Sequence, residues 1–193
     1  MKFKVLFKIL YMKRSFLVLY LFAAGVLSLI LLLLYACVQQ VYRQTANDPQ
    51  IQVAWDIREH MRMGLPVDAY FRSDSADLSG SLALFAVLYN SEGKPIRSSA
   101  RLDGNLPQVP AGVLDFVKTN GEERVTWQPR PGVRMAMVLL RAEPLSLGII
   151  AVGRSLREVE VRENNLRSMV GLGWLLVMGL LAVAALVQFR LSI

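Results

Sequence analysis

SFLVLYLFAAGVLSLILLLLYACV, residues 15–38, carries no charged side chain, and its reading decides how the rest of the chain is understood. It matches the roughly 20 apolar residues that cross a hydrocarbon core about 30 Å thick. A second uncharged run, SMVGLGWLLVMGLLAVAALVQF at residues 168–189, lies near the other end. Only Arg190, Leu191, Ser192 and Ile193 follow it. The pair predicts an α+β membrane protein in which two transmembrane helices flank one domain, with no room for an effector domain beyond the second.

The flanks set the expected orientation. Lys2, Lys4, Lys8, Lys13 and Arg14 precede the first run, and Arg190 follows the second. Short basic flanks stay cytoplasmic, so residues 1–14 and 190–193 are expected inside and residues 39–167 outside, in the periplasm or extracellular space. The charge partition agrees: all 15 acids and 16 of the 22 Lys+Arg fall in the outer segment, leaving it near +1. The net charge of +7 is therefore a topogenic signal at the ends. A nucleic-acid partner, which needs a basic patch on the folded domain, is not expected.

Residues 1–37 have a rival reading as a secretory signal, since Leu34-Tyr35-Ala36-Cys37 loosely resembles a lipoprotein cleavage box. The apolar run is longer than the ~7–15 residues of a signal's hydrophobic region, and Tyr35 is bulky for such a box. A retained anchor is the expectation. Cys37 is the single cysteine, so no intramolecular disulfide is available. The outer segment, at about 129 residues, must hold itself together with its own core, and it is long enough to do so.

Within that segment, Asn47-Asp48-Pro49 reads as a helix start, with Asp48 as N-cap and Pro49 at the first helical position. Ile51, Ala54, Trp55 and Met61 then recur on one helical face, and Gly64 and Pro66 stop the helix. Residues 65–80 read as loop. Residues 82–89, LALFAVLY, are apolar on both faces, which suits a strand covered on each side. The sequence Asn90-Ser91-Glu92-Gly93 turns the chain into a second strand over 95–100. A short helix is expected over 110–119, ended by Asn120-Gly121. Three further strands follow at 124–128, 134–140 and 146–153, joined by short turns as an antiparallel meander. Ser155-Leu156-Arg157-Glu158 has the form of a capping box, and no Pro or Gly interrupts the chain between Ser155 and Ser168. One helix of about 35 residues and ~50 Å should thus link the sheet to the second apolar run.

A helix leaving the membrane, a five-stranded antiparallel sheet with an inserted short helix, and a returning helix resemble the PAS-like sensor domains of the PDC or single Cache type. These lie outside the membrane in bacterial histidine kinases and chemoreceptors. Local strings look like the kinase group too: Asn47-Asp48-Pro49-Gln50, Leu88-Tyr89-Asn90 to Gly93-Lys94-Pro95, Val125-Thr126-Trp127-Gln128-Pro129, and Gly153-Arg154-Ser155-Leu156-Arg157-Glu158. The resemblance covers nearly the whole chain. It implies a long helix at the start of the outer domain, a bacterial inner-membrane location and a part in a two-component system. The departure is equally clear: no phosphoacceptor segment or ATP-binding domain follows the second run, and the one histidine, His60, lies on the outer helix. The chain looks like the input half of a receptor without the kinase half.

Catalytic and metal-ligating constellations are not expected. One His and one Cys do not make a zinc site or a Cys/His pair. Asp68, Asp74 and Asp77 share a loop but lack the spacing of a calcium loop, and solvation is the ordinary role of such residues. His60 belongs to the residue type that serves as an acidity sensor, or is simply a surface histidine. Tyr89, Arg97, Trp127 and Arg134 fall on expected strands. They combine apolar surface with fixed positive charge, as a pocket for a small acidic ligand would; the alternative is that the aromatics pack in the core and the arginines face solvent. Gly171, Gly179 and Ala182 would permit close helix approach and a homodimer, while Tyr35 and Trp174 suit an aromatic belt.

The expected function is a non-enzymatic, cofactor-free, membrane-anchored sensor or accessory module that signals laterally to another membrane protein. The alternatives are a scaffold subunit of an envelope complex and the relic of a truncated sensor kinase.

Overall fold

A computed structural model of the chain describes residues 2–45, 47–72, 76–143 and 147–191, with side chains from residue 15 onward. The chain divides into two compact units. One comprises Tyr42–Val161; the other joins the two ends of the chain, up to Val41 and from Arg162.

Helix α1, Lys2–Thr45, contains the first apolar run. It continues past the polar residues at Gln39 and Gln40, where the sequence suggests an exit, and runs to Thr45. The long N-terminal helix expected within the outer domain is thus corrected: length belongs to α1, and the domain opens on the 15-residue α2, Asp48–Arg62. Pro49 occupies the first turn as expected, but Asn47, not Asp48, is the cap residue. A one-residue shift of this kind follows because Pro49 fits N1 or N2 equally well when its N–H is not needed.

The domain is α+β with a five-stranded antiparallel sheet. Its strands are β2 (Phe85–Tyr89), β3 (Pro95–Ser98), β5 (Glu122–Arg130), β6 (Val133–Arg141) and β7 (Ile149–Ser155), in the order β3-β2-β7-β6-β5. The β2–β3 hairpin and the β5-β6-β7 meander are as the sequence predicts. Pairing of β2 with β7, from Phe85↔Gly153 to Tyr89↔Ile149, joins the two pieces into one sheet. A separate parallel pair links β1 (Ala76–Asp77), in what reads as loop in the sequence, to β4 (Ala100–Arg101), which takes the end of the strand expected over 95–100 after β3 stops at Ser98. A 3-10 turn, Asp68–Phe71, lies in the same loop stretch as β1.

Every residue of β2 is buried because the sheet is covered on both faces. On one side Phe85, Val87, Tyr89, Met135, Met137, Leu139 and Ala151 pack with Leu114 and Val117 of α3 (Ala111–Asn120). On the other, Ala86, Leu88, Val138, Leu140, Ile150 and Val152 pack with Ala54 and Ile57 of α2 and with Phe71. Two helices thus remove both faces of a mostly apolar sheet from water, the dominant stabilising term here. The N-terminal end of α2 is further tied to the sheet by Gln50, whose buried side-chain amide donates to the Ala136 carbonyl at 3.4 Å.

Two glycines are required by these contacts. Gly148 has φ 96°, and a Cβ there would collide with the Tyr89 carbonyl oxygen. Opposite Phe85, Gly153 leaves space that the phenyl ring fills.

Helix α4, Arg157–Leu191, is continuous over 35 residues, matching the length read from the sequence. Its start differs from the expected capping box. Ser155 is the last residue of β7, and its Oγ accepts the N–H of Arg157 at 3.3 Å. The first helical bond runs from Glu160 N–H to the Leu156 carbonyl. Helices α1 and α4 are both long and apolar enough to cross a membrane, by length and composition.

Candidate functional site

The four residues singled out as a ligand pocket lie on two faces of the sheet. Tyr89 and Trp127 belong to the core cluster under α3. Tyr89 is fully buried, and its hydroxyl donates to the Pro107 carbonyl at 2.9 Å. Burial pushes its phenol well above the ordinary range, against a smaller opposing effect of a backbone hydrogen bond from Val109. Trp127 is 7 % exposed. Both aromatics therefore do what strand aromatics commonly do: they fill the core.

Arg97 stands opposite Leu88 in the β2–β3 ladder, which places it on the α2 face, and its guanidinium pairs with Asp68. Arg134 alternates with Met135, on that same face, and pairs with Glu160 at 2.6 Å. Each arginine is about half exposed. The structure thus brings the two aromatics together and the two arginines to the opposite face, each against a carboxylate. No common lining for one small ligand arises from the four. Strand parity alone does not contain this information: Tyr89 and Arg97 fall on different faces because of the hairpin register, which carries an irregularity between Leu88 and Tyr89.

The acidic loop behaves as solvated structure. Asp77 accepts the Ser79 backbone N–H at 2.9 Å and the Ser79 hydroxyl at 2.6 Å. These bonds, the hydroxyl first, hold its carboxyl below the usual range. Asp68 is taken by Arg97, and Asp74 lies outside the described residues. Among the described residues no group of three His, Cys, Asp or Glu side chains is placed to hold a metal ion. His60 is half-buried on α2, with its Nδ1 3.3 Å from the Tyr70 hydroxyl and the two rings tilted 55° at 5.6 Å. Trp55, expected on the apolar face of α2, is instead exposed, with the Arg58 guanidinium 3.6 Å over its ring. Ile57 takes the core position in its place.

The unit formed by α1 and α4 carries polar contacts the sequence reading missed. Tyr20 donates its hydroxyl proton to Gln188 Oε1 at 3.0 Å, and Trp174 Nε1–H donates to Ser28 Oγ at 2.8 Å. Small polar residues inside apolar runs are the signal that points to such pairs. Open grooves accompany them. One, of about 420 Å³, is walled by Phe16, Tyr20, Ala182 and Phe189. Another, of about 310 Å³, lies beside Tyr35, Arg167 and Trp174. Gly171 and Gly179 have open space where a side chain would project, so neither brings α1 and α4 into close approach.

No protein-family model, curated protein or solved structure matches the chain.

Proposed function

We propose that this chain is a membrane-anchored sensor or accessory module whose α+β domain lies outside a bacterial inner membrane, resembling the input half of a sensor kinase. In this reading α1 and α4 span the bilayer with their outer flanks on the cytoplasmic side. A stimulus at the domain changes the packing of the two helices and so acts laterally on a membrane partner. The observation that carries the proposal is the junction of β7 and α4. β7 pairs with β2 on one side and β6 on the other, and one residue, Leu156, separates its end from a helix that continues unbroken to Leu191. In this reading a shift in the sheet passes from an interior strand directly into the helix that carries the second apolar run.

Polar pairs support the membrane reading from another direction. Tyr20–Gln188 and Ser28–Trp174 satisfy donors and acceptors that would otherwise be stranded in hydrocarbon, at about 0.6–2 kcal/mol each. The test is mild-detergent extraction followed by co-purification. A stable membrane partner supports the proposal; recovery only as a homo-oligomer counts against lateral signalling.

A second reading, a scaffold subunit of an envelope complex, is favoured by the occupancy of the four pocket residues. Tyr89 and Trp127 fill the core and both arginines hold carboxylates, which leaves recognition to the exterior. There Trp55, Ile96 and Phe116 are exposed. Thermal-shift screening of the protein against small organic acids separates the two readings: stabilisation by any of them favours sensing, and none across a broad panel favours scaffolding.

A further inference from the structure

The groove of about 310 Å³ on the α1–α4 unit combines three features that the proposed function does not use. Its lining includes one cation, Arg167, directly before the second apolar run. It also includes Tyr35, near the end of the first run. Apart from Ser28, its remaining wall is apolar, from Leu31, Leu32 and Val170, with open space at Gly171. Trp174 also lines it and is held in place by its bond to Ser28. Among the described residues no carboxylate lies within ion-pair distance of Arg167. In the domain, by contrast, Arg62, Arg97, Arg124, Arg130 and Arg134 each hold one.

A cation at the mouth of an apolar groove is complementary to an amphiphile with an anionic head. We infer that this groove is a binding site for an anionic phospholipid, with Arg167 facing the phosphate and one acyl chain lying along the wall by Leu32 and Gly171. Guanidinium and phosphate match in charge and in hydrogen-bonding geometry. Tyr35 adds a hydroxyl at headgroup level, where aromatic rings with one polar end are stable. A free anion would leave the apolar wall uncovered; a neutral lipid would leave Arg167 without its partner. The inference rests on the membrane reading of α1 and α4.

The test reconstitutes the full chain into phosphatidylcholine vesicles doped with either phosphatidylglycerol or phosphatidylcholine carrying brominated acyl chains. Bromine quenches tryptophan emission on contact, and Trp174 lines the groove, whereas Trp55 and Trp127 belong to the other unit. The brominated phosphatidylglycerol should bind about fivefold more tightly than its phosphatidylcholine counterpart, as expected for one basic residue near the bilayer surface. R167Q should abolish that preference and R167K should keep part of it. G171L, which places a side chain in the open groove, should weaken quenching by both lipids. Inorganic phosphate should leave the preference intact; loss of the preference on its addition would mean a free-phosphate site and overturn the lipid assignment. An equal response to the two lipids, or a preference unchanged in R167Q, also overturns it. Vesicle flotation separates this failure from that of the membrane reading. Protein that floats with the vesicles but shows no preference loses only the lipid site, whereas protein that stays at the bottom of the gradient loses both.

Discussion

Gly148 shows how much a single position constrains this domain. Its φ of 96° lies where side chains are strained, and its missing Cβ makes room for the Tyr89 carbonyl at the start of β7's pairing with β2. Replacing it with alanine combines backbone strain with a clash, and Gly148→Ala should destabilise the domain by roughly 2–4 kcal/mol, read from a thermal or urea melt. Gly80→Ala, where nothing lies within 4 Å of the added atom, is the control and should be close to neutral. Tyr89, across the same junction, makes stability depend on pH. Its phenol titrates higher in the folded state than in the unfolded chain, where the value is about 10. The folded state therefore holds the proton more tightly, so the contribution is complete at neutral pH and is lost as the pH climbs above about 10. The expected slope is up to about 1.4 kcal/mol per pH unit in that range. Tyr89→Phe should remove this slope and cost about 1–2 kcal/mol at neutral pH, because the Pro107 carbonyl loses its donor.

Among the elements, α2 shows where apolar periodicity and burial part company. Trp55 and Ile57 are two residues apart and face different surroundings: Trp55 is 46 % exposed, Ile57 fully buried against the sheet. Ile57→Ala should cost about 2–5 kcal/mol through lost burial and the cavity left behind. Trp55→Ala should cost less than about 1 kcal/mol in thermal stability, since it removes an exposed ring and its contact with Arg58. The reverse order would mean that Trp55 is covered in solution, by a partner or by a second copy. At the other end of the domain, Ser155 closes β7 and accepts the first free N–H of α4. A hydroxyl in that position serves strand and helix together, and it explains why the capping-box motif is displaced by one element without loss of the helix it announces.

For the whole molecule, the proposed membrane reading turns on which side of a bilayer holds the domain. Cysteine scanning on a Cys37→Ser background provides the measurement, because Cys37 is the single cysteine and is exposed. Asn105, exposed on the loop between β4 and α3, should react as Asn105→Cys with a membrane-impermeant thiol reagent in intact spheroplasts. A cysteine placed in residues 1–14 should react only after the membrane is opened. Labelling at 105 that also needs permeabilisation would reverse the proposed orientation and remove the basis for a sensor facing outward.

Much of the secondary structure is legible in the sequence because its causes are local. Two uncharged runs, the both-faces apolar pattern of β2, the turn at Asn90 to Gly93, the Gly121 stop of α3 and the unbroken course of α4 each follow from a few neighbouring residues. Pairing of β2 with β7 does not, since nothing local says which of several apolar strands will lie beside another some sixty residues away. That pairing, together with the register of β3, decides that Tyr89 and Trp127 pack beneath α3 while Arg97 and Arg134 meet Asp68 and Glu160 on the other face. The sequence determined the principal helices and strands and which helices are apolar enough to enter a membrane. Tertiary structure alone decided which side chains meet, because faces of a sheet are assigned by strand neighbours that are distant in the chain.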